Sequence, residues 1–259
     1  MTSDVEALRD RIAAHFLPEP PVCLGVAVSG GSDSTALLVL LHEWMKADGP
    51  EVRAVTVDHG LRPESAAEAT QVARMCADLN VPHDILHWGG WNGQGNLPDQ
   101  ARLVRYDLMA DWAAVKGIAD VALGHTANDQ AETFLMRLAR EAGVDGLAAM
   151  APRRNIKGIA FHRPMLEIPR ETLRDILRAR SIGWIDDPTN EDKRYERVRA
   201  RNALSHLSEL GIGPEGLSRV AHHMSDVRAT LYHYAYTAAR QLVHVEAGDL
   251  VIEKEGFTD

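Results

Sequence analysis

The chain has 259 residues, of which 45% are hydrophobic and 25% are charged, and its formal net charge is −9. This length predicts one main domain with a smaller extension, and the acidic balance disfavours non-specific nucleic-acid binding by the whole surface. No apolar run approaches the roughly 20 residues of a membrane span, and the polar start Met1–Asp4 is unlike a signal peptide. We therefore expect a cytoplasmic protein without membrane contact. The two cysteines, Cys23 and Cys76, form neither a disulfide framework nor a CxxC pair.

The first predicted elements are an apolar strand at 22–28 and a helix at 34–47, joined by a run of small residues. In such a turn, glycines let the backbone approach a phosphate, and the helix N-terminus favours its negative charge. The lysine of the GxxxxGK[ST] P-loop is missing, which disfavours ordinary γ-phosphate hydrolysis. The alternative is a tight strand-to-helix connection without a ligand. The candidate nucleotide-binding residues here are Ser29, Gly30, Gly31, Ser32, Asp33 and Ser34.

Strands and helices alternate through the next 130 residues, which predicts an α/β fold with a doubly wound, mainly parallel five-stranded sheet. The further strands are predicted at 52–57, 82–87, 120–124 and 159–162, and the helices at 64–79, 98–117 and 127–141. Ligands of such sheets bind beyond the carboxyl ends of the strands. Asp58-His59 and Gly124-His125 follow two of these strands and are candidate nucleotide contacts. Alternatively, Asp58 and His59 form a turn, and His125 caps a strand end.

Two arginines, Arg102 and Arg105, lie three residues apart at the start of the helix 98–117. They follow the glycine-rich segment 89–96, which we predict to be a loop that borders the site. Two guanidinium groups suit a phosphate or the charge that develops on it during a reaction. A solvated amphipathic helix would show the same spacing.

Asp129 and Glu132 lie three residues apart at the start of the helix 127–141, so both carboxylates share one face. Together they could bind the ammonium group of an amine substrate. Capping of the first helical turn by acidic residues is the alternative.

The segment 153–201 is basic inside an acidic protein, with 13 Lys and Arg against 8 Asp and Glu. Such a local face can bind a polyanion, although a solvated arginine-rich helix gives the same count. The candidate RNA-contacting residues are Arg153, Arg154, Arg194, Arg197 and Arg201. Further helices are predicted at 171–181 and 214–240, and a hairpin at 242–253 ends the extension 201–259.

Six motifs in this order resemble the tRNA(Ile)-lysidine synthases, a branch of the PP-loop ATP pyrophosphatase family. The resemblance covers about residues 20–205 and implies a PP-loop catalytic domain at 1–200. The motifs are Ser29–Ser34, Val57–Arg62, Ala101-Arg102 with Arg105-Tyr106, Gly124-His125 with Asp129-Gln130 and Glu132-Thr133, Arg163–Leu166, and Asp187–Asn190.

The resemblance implies a ligase that uses ATP and Mg²⁺ to join L-lysine to the wobble cytidine of the tRNA(Ile) with anticodon CAU. The cytidine would be adenylated with release of pyrophosphate, and the lysine amine would then displace AMP. The serines and glycines of the first motif would hold the pyrophosphate, Asp33 would orient substrate or metal, and Arg102 or Arg105 would stabilise the α-phosphate. Asp129 and Glu132 would receive the lysine.

Relatives usually continue into C-terminal domains that help to bind the tRNA, and we expect these domains to be absent from this chain. A homodimer is left open. The alternatives are another tRNA-modifying PP-loop enzyme of the thiolase type, for which two cysteines in apolar elements are a poor match, and a nucleotide-binding module without catalysis.

Overall fold

The computed structural model describes residues 2–91, 93–94, 96–186, 194 and 196–252. Its centre is a six-stranded sheet with the strand order β3-β2-β1-β4-β6-β5. The strands are β1 (Cys23–Ala27), β2 (Glu51–Asp58), β3 (His83–His87), β4 (Asp120–Leu123), β5 (Arg153–Ile156) and β6 (Ile159–His162). All neighbouring pairs are parallel except β5 and β6. The predicted doubly wound, mainly parallel sheet is confirmed.

The prediction of five strands was wrong by one, because β5 was missed. Three of its four residues are exposed and none of Arg153, Arg154 and Asn155 is apolar, so the strand carries no alternating pattern. It pairs with β6 through a two-residue turn in which Lys157 and Gly158 both have positive φ values, 52° and 84°. Two consecutive left-handed residues give the backbone twist that a tight hairpin needs.

Helices cover both faces of the sheet. On one face pack α1 (Thr2–Ala14), α2 (Ser32–Lys46), α3 (Ser65–Asp78) and α7 (Arg170–Ala179), with a core that includes Ile12, Leu37 and Leu40. On the other face α4 (Leu97–Lys116) contributes Met109 and Trp112 to a second core. Helix α1 was not predicted.

The C-terminal part packs on α5 (Ala127–Leu138) and α6 (Val144–Leu147). Helices α8 (Glu196–Ser208) and α9 (Pro214–Leu242) enclose a small core with α5 that includes Phe134, Leu204 and Leu217. The predicted terminal hairpin is confirmed as β7 (Val243–Glu246) and β8 (Asp249–Ile252). Within the described ranges, no helix combines the length and the apolar character that crossing a bilayer requires.

Candidate active site

A large cavity lies at the carboxyl ends of β1 and β4, where the order of the sheet reverses. This switch point is where doubly wound sheets bind ligands, because the helices after the two strands run to opposite faces and leave a crevice. The cavity has a volume of about 1320 Å³ and is lined by the turn after β1, the loop after β4 and the first turns of α5, α7 and α8. The predicted convergence of polar clusters at one sheet edge is therefore observed for the first and fourth strands.

The turn between β1 and α2 is held by its own serines. The Ser34 hydroxyl accepts a hydrogen bond from the Ser29 N–H and donates one to the Gly31 carbonyl, each over 3.1 Å. Gly30 has a φ of 88°, and a Cβ there would lie 2.6 Å from the Ile185 side chain. Gly31 precedes α2 with no side-chain cap. The first amides of α2 therefore face the cavity as a ready anion site.

Gly124 lets the loop after β4 approach this turn. A Cβ on Gly124 would lie 2.9 Å from the backbone nitrogen of Ser34, so any larger residue would separate the two strand ends. The sequence placed both segments at one edge, and this contact shows how close they are. Gly124 shapes the cavity through its lack of a side chain.

Asp33 lies in the first turn of α2 and pairs with an arginine that the sequence analysis did not single out. Arg170, the first residue of α7, donates from Nε to Asp33 Oδ2 over 2.7 Å. Ser32 donates to the other carboxylate oxygen over 3.2 Å. Burial raises the pKa of Asp33, and Arg170 offsets only part of this rise.

Asp129 has the capping role that the sequence analysis gave as one of two alternatives. Its Oδ2 accepts hydrogen bonds of 2.8 Å from both the N–H and the hydroxyl of Thr126, the residue before α5. The same carboxylate also accepts a bond of 2.9 Å from Arg197. Burial alone would raise the pKa of Asp129, but Arg197 and Arg170 outweigh it, so this pKa lies below its ordinary value.

Glu132 shares the face of Asp129, as the spacing predicts, and is completely buried. Arg197 donates to one of its oxygens over 2.7 Å and Arg201 to the other over 2.9 Å. The two arginines line the cavity and Glu132 does not. A ligand in the cavity would therefore meet these guanidinium groups before it met the Glu132 carboxylate.

Three carboxylates and three guanidinium groups form one network beside the turn between β1 and α2. We call Asp33, Asp129, Glu132, Arg170, Arg197 and Arg201 the paired cluster. Arg170 lies at its centre, 3.3 Å from Asp129 and 3.7 Å from Glu132 in addition to its bond with Asp33. Because the charges balance, the cluster is formally neutral. This balance offsets the cost of burying its carboxylates.

A second, smaller pocket of about 190 Å³ adjoins the cavity, and its charged lining residues are basic. Its charged and polar lining residues are His59, Arg102, Arg105, Tyr106 and His125, and none of the described lining residues is acidic. The Nδ1 atoms of His59 and His125 are buried without a hydrogen-bond partner. Arg105 and His125 line both spaces. We call this space the basic pocket.

Burial dominates the titration of the basic pocket. It lowers the pKa of His125 to about 3, with Arg163 and Arg105 acting in the same direction. Burial and then Arg105 also lower the pKa of His59. Both imidazoles are therefore neutral at pH 7.

Comparison with known proteins identifies the family. The PP-loop domain pattern matches residues 5–207. A tRNA(Ile)-lysidine synthase of Ruegeria pomeroyi is 51% identical over 257 residues, which are 99% of this chain and 61% of the relative. Another, of Rhodopseudomonas palustris, is 40% identical over 240 residues, 92% of this chain and 69% of the relative. The chain belongs to the tRNA(Ile)-lysidine synthase family.

The chain spans about three fifths of the length of the Ruegeria relative. Among solved structures, the U34-tRNA thiolase NcsA from Methanococcus maripaludis has a TM-score of 0.72 at 15% identity, covering 85% of this chain and 78% of the thiolase. At that identity the likeness concerns the PP-loop fold alone. The family assignment rests on the lysidine synthases.

Not every family motif lines the cavities. Asp58 accepts a hydrogen bond of 2.9 Å from the Gly60 N–H and closes a turn, and it lines neither space. The turn alternative therefore describes its contacts. The motif Asp187–Asn190 lies outside the described residues.

The predicted RNA-contacting arginines fall into two groups. Arg197 and Arg201 bond to buried carboxylates, so in this structure they are members of the paired cluster. Arg153, Arg154 and Arg194 are exposed and remain candidates.

The sequence analysis missed the contribution of α7. Arg170 and Arg174 line the cavity, and Arg174 reaches Ser32 Oγ over 3.4 Å. Their spacing of four residues, directly after Pro169, places both on one face of the helix. That spacing was the feature of the sequence that could have indicated these two residues.

Proposed function

We propose that the chain carries out ATP-dependent ligation of L-lysine to the wobble cytidine of tRNA(Ile) with anticodon CAU. The observation that carries the proposal is a cavity that is lined both by the turn after β1 and by the Asp129 and Arg170 side chains. Relatives of 40–51% identity that are named tRNA(Ile)-lysidine synthases support the same reaction.

In the first step, the turn Ser29–Ser34 binds the β- and γ-phosphates of ATP. The cytosine carbonyl oxygen attacks the α-phosphorus, the bond to the bridging oxygen breaks, and pyrophosphate leaves with that electron pair. Arg105 is the better placed of the two predicted arginines, because it lines both the cavity and the basic pocket, whereas Arg102 lines only the pocket. A cation there stabilises the charge that develops on the α-phosphate.

In the second step, the neutral lysine ε-amine attacks the adenylated carbon. The bond from that carbon to the AMP oxygen breaks, AMP leaves with the electron pair, and the nitrogen releases a proton to solvent. Asp129 and Glu132 would hold an ammonium group of the lysine, but their arginine partners already balance them. Arg197 and Arg201 have side chains that are 38% and 36% exposed, so they are the partners that solvent can release. We therefore propose that lysine binding displaces Arg197 or Arg201 from Glu132.

Mg²⁺ is compatible with these residues when the nucleotide supplies most of its ligands. Within the part of the chain that the structure describes, no cluster of three or more His, Cys, Asp and Glu side chains could hold a metal ion. Mg²⁺ is commonly bound by one or two carboxylates together with substrate phosphates and water. Asp33, next to the phosphate-binding turn, would provide the carboxylate, and the ion would neutralise phosphate charge.

The test is incorporation of labelled lysine in the presence of ATP and Mg²⁺. The acceptors are transcripts of tRNA(Ile) bearing CAU and of elongator tRNA(Met), which has the same anticodon and serves as the matched control. We expect label in the isoleucine transcript and pyrophosphate release that depends on it. Pyrophosphate release without label would favour another PP-loop modification, and nucleotide binding without either would favour a non-catalytic module.

A further inference from the structure

Arg163 is a buried arginine that has no role in the two proposed reaction steps. It follows β6 directly and is 3% exposed, and no carboxylate among the described residues lies within ion-pairing distance. Its Nε atom is buried without a hydrogen-bond partner. A guanidinium group buried in this way is costly, and a fold that keeps one gains something from its position. Its burial also removes Arg163 from any role in contacting RNA.

The two terminal nitrogens of Arg163 connect the loop before β5 to the basic pocket. Nη1 donates to the Ala151 carbonyl over 2.7 Å, and Nη2 donates to the Tyr106 hydroxyl over 3.0 Å. The Tyr106 ring makes an edge contact with Phe161, with ring centroids 5.0 Å apart at 84°. Tyr106 is thus contacted at its hydroxyl by Arg163 and at its ring by Phe161.

Arg102 makes a cation–π contact with the Tyr106 ring. The Arg102 guanidinium lies 5.6 Å from the ring centroid. Arg102 is exposed, and it lies close enough to Arg105 that its charge lowers the pKa of Arg105, after burial as the larger cause. Repulsion by Arg105 would move a free Arg102 side chain into solvent. The ring holds this cation at the mouth of the basic pocket.

We propose that Arg163 is a positioning residue, which fixes Tyr106 and through it holds Arg102 at the basic pocket during adenylation. The inference rests on the proposed function for its kinetic effect, because the charge that Arg102 meets there is that of the reacting phosphate. The positioning itself is a property of the chain. A misplacement of about 1 Å can lower a rate about 100-fold.

The kinetic test is a double-mutant cycle with Arg163→Met, Arg102→Met and the double variant, measured as RNA-dependent pyrophosphate release. We expect each single variant to lower kcat about 10- to 100-fold with little change in the KM for ATP. The double variant should lie within about threefold of the slower single variant, because both changes remove the same contact. Losses that multiply, or a normal kcat in Arg163→Met, would overturn the proposal.

Two further variants separate positioning from stability. Tyr106→Phe keeps the ring and removes the oxygen to which Arg163 donates, and we expect it to reproduce the loss in kcat if Arg163→Met fails to fold. Arg180→Met is the control for loss of a partly buried arginine, because Arg180 pairs with Glu43 over 3.3 Å and lines neither space. It should lower the thermal midpoint and leave kcat unchanged.

A measurement without turnover keeps the outcome independent of the reaction. The Arg102 side-chain N–H signal in a ¹⁵N-resolved NMR spectrum is assigned by its loss in Arg102→Met, and it reports the ring current of Tyr106. We expect this signal to shift in Tyr106→Phe and Arg163→Met. An unchanged signal in both overturns the proposal, whereas a wild-type chain that lacks lysine incorporation but shows the shift contradicts only the proposed function.

Discussion

The paired cluster and the basic pocket lie side by side. Buried charges are paired with opposite charges in the cluster, but not in the pocket. In the paired cluster, each of the three carboxylates bonds to arginine within 2.9 Å. In the basic pocket, Arg105 and the neighbouring Arg163 have no acidic partner among the described residues, and two imidazole nitrogens are unpaired. The charges of the paired cluster therefore have partners without a ligand, whereas the charge of the basic pocket does not.

This difference separates two roles that the same residue types can play. A buried ion pair that is broken leaves an uncompensated charge, so a balanced cluster mainly fixes geometry. A buried cation without a partner favours an anion that arrives from outside, and here that anion would be a phosphate. Arginine alone therefore does not identify a phosphate site. An arginine that lines a pocket and has no carboxylate partner among the described residues, as Arg105 does, is the better indication.

The largest effect should come from Asp33→Asn, which removes the carboxylate in the first turn of α2, within the proposed phosphate-binding turn, and leaves Arg170 with one partner fewer. We expect pyrophosphate release to fall about 1000-fold or more, because a group that orients charge at the reacting phosphate is lost. Glu171→Gln is the control, since Glu171 lines the same cavity but is exposed and pairs with Arg178 over 2.6 Å. A full rate in Asp33→Asn would exclude the proposed role.

The next effect should come from Glu132→Gln, which breaks the paired cluster from within. Because Glu132 is completely buried between two arginines, we expect unfolding free energy to fall by about 3 kcal/mol, in the range for one partner removed from a buried pair. The KM for lysine should rise about 10- to 100-fold while the KM for ATP changes little. Urea denaturation and steady-state kinetics measure the two effects.

Glu68→Gln is the matched control for Glu132→Gln, because Glu68 pairs with Arg62 over 2.8 Å and neither residue lines the two spaces. It should change stability by less than about 1 kcal/mol. An unchanged lysine KM in Glu132→Gln would leave Glu132 with a purely structural role beside the capping residue Asp129.

The sequence predicted the sheet and its switch point because both depend on local patterns. Apolar runs mark β1 and β4, and the glycines after them mark close approaches, as Gly30 and Gly124 confirm. The charge pairing could not be predicted, because Arg170 and Arg197 lie 137 and 68 residues from the carboxylates that they contact. Strand β5 was missed for the reverse reason, since an exposed edge strand of polar residues has no local signature.

Arg105→Met, in the basic pocket, should not lower the unfolding free energy as Glu132→Gln does. We expect kcat for pyrophosphate release to fall about 100-fold, comparable to the loss of one charge-stabilising donor. Unfolding free energy should stay unchanged or rise by about 1 kcal/mol, because an apolar side chain replaces a buried cation that has no acidic partner. If Arg105→Met destabilises the chain as much as Glu132→Gln does, the contrast between the two regions is wrong.

The smallest effect should be a pH dependence that separates the two regions. The pKa of His125 is about 3 in the fold, below its ordinary value of about 6.5, so the unfolded chain binds more protons. Stability from neutral His125 is thus complete above about pH 6.5 and declines as the pH falls towards 3. Between pH 7 and pH 5 the decline should be about 1–2 kcal/mol, allowing for solvent screening.

The measurement is urea denaturation of the wild type and of His125→Gln at pH 7 and pH 5, because the difference between the two proteins cancels the other histidines. We expect the stability advantage of the wild type to shrink at pH 5. Asp129 behaves differently: its lowered pKa means that its contribution persists from pH 7 down to about pH 4 and is lost only below that. The advantage of the wild type over Asp129→Asn should therefore be equal at pH 7 and pH 5, and a parallel decline of both advantages would show that the two regions titrate as one unit.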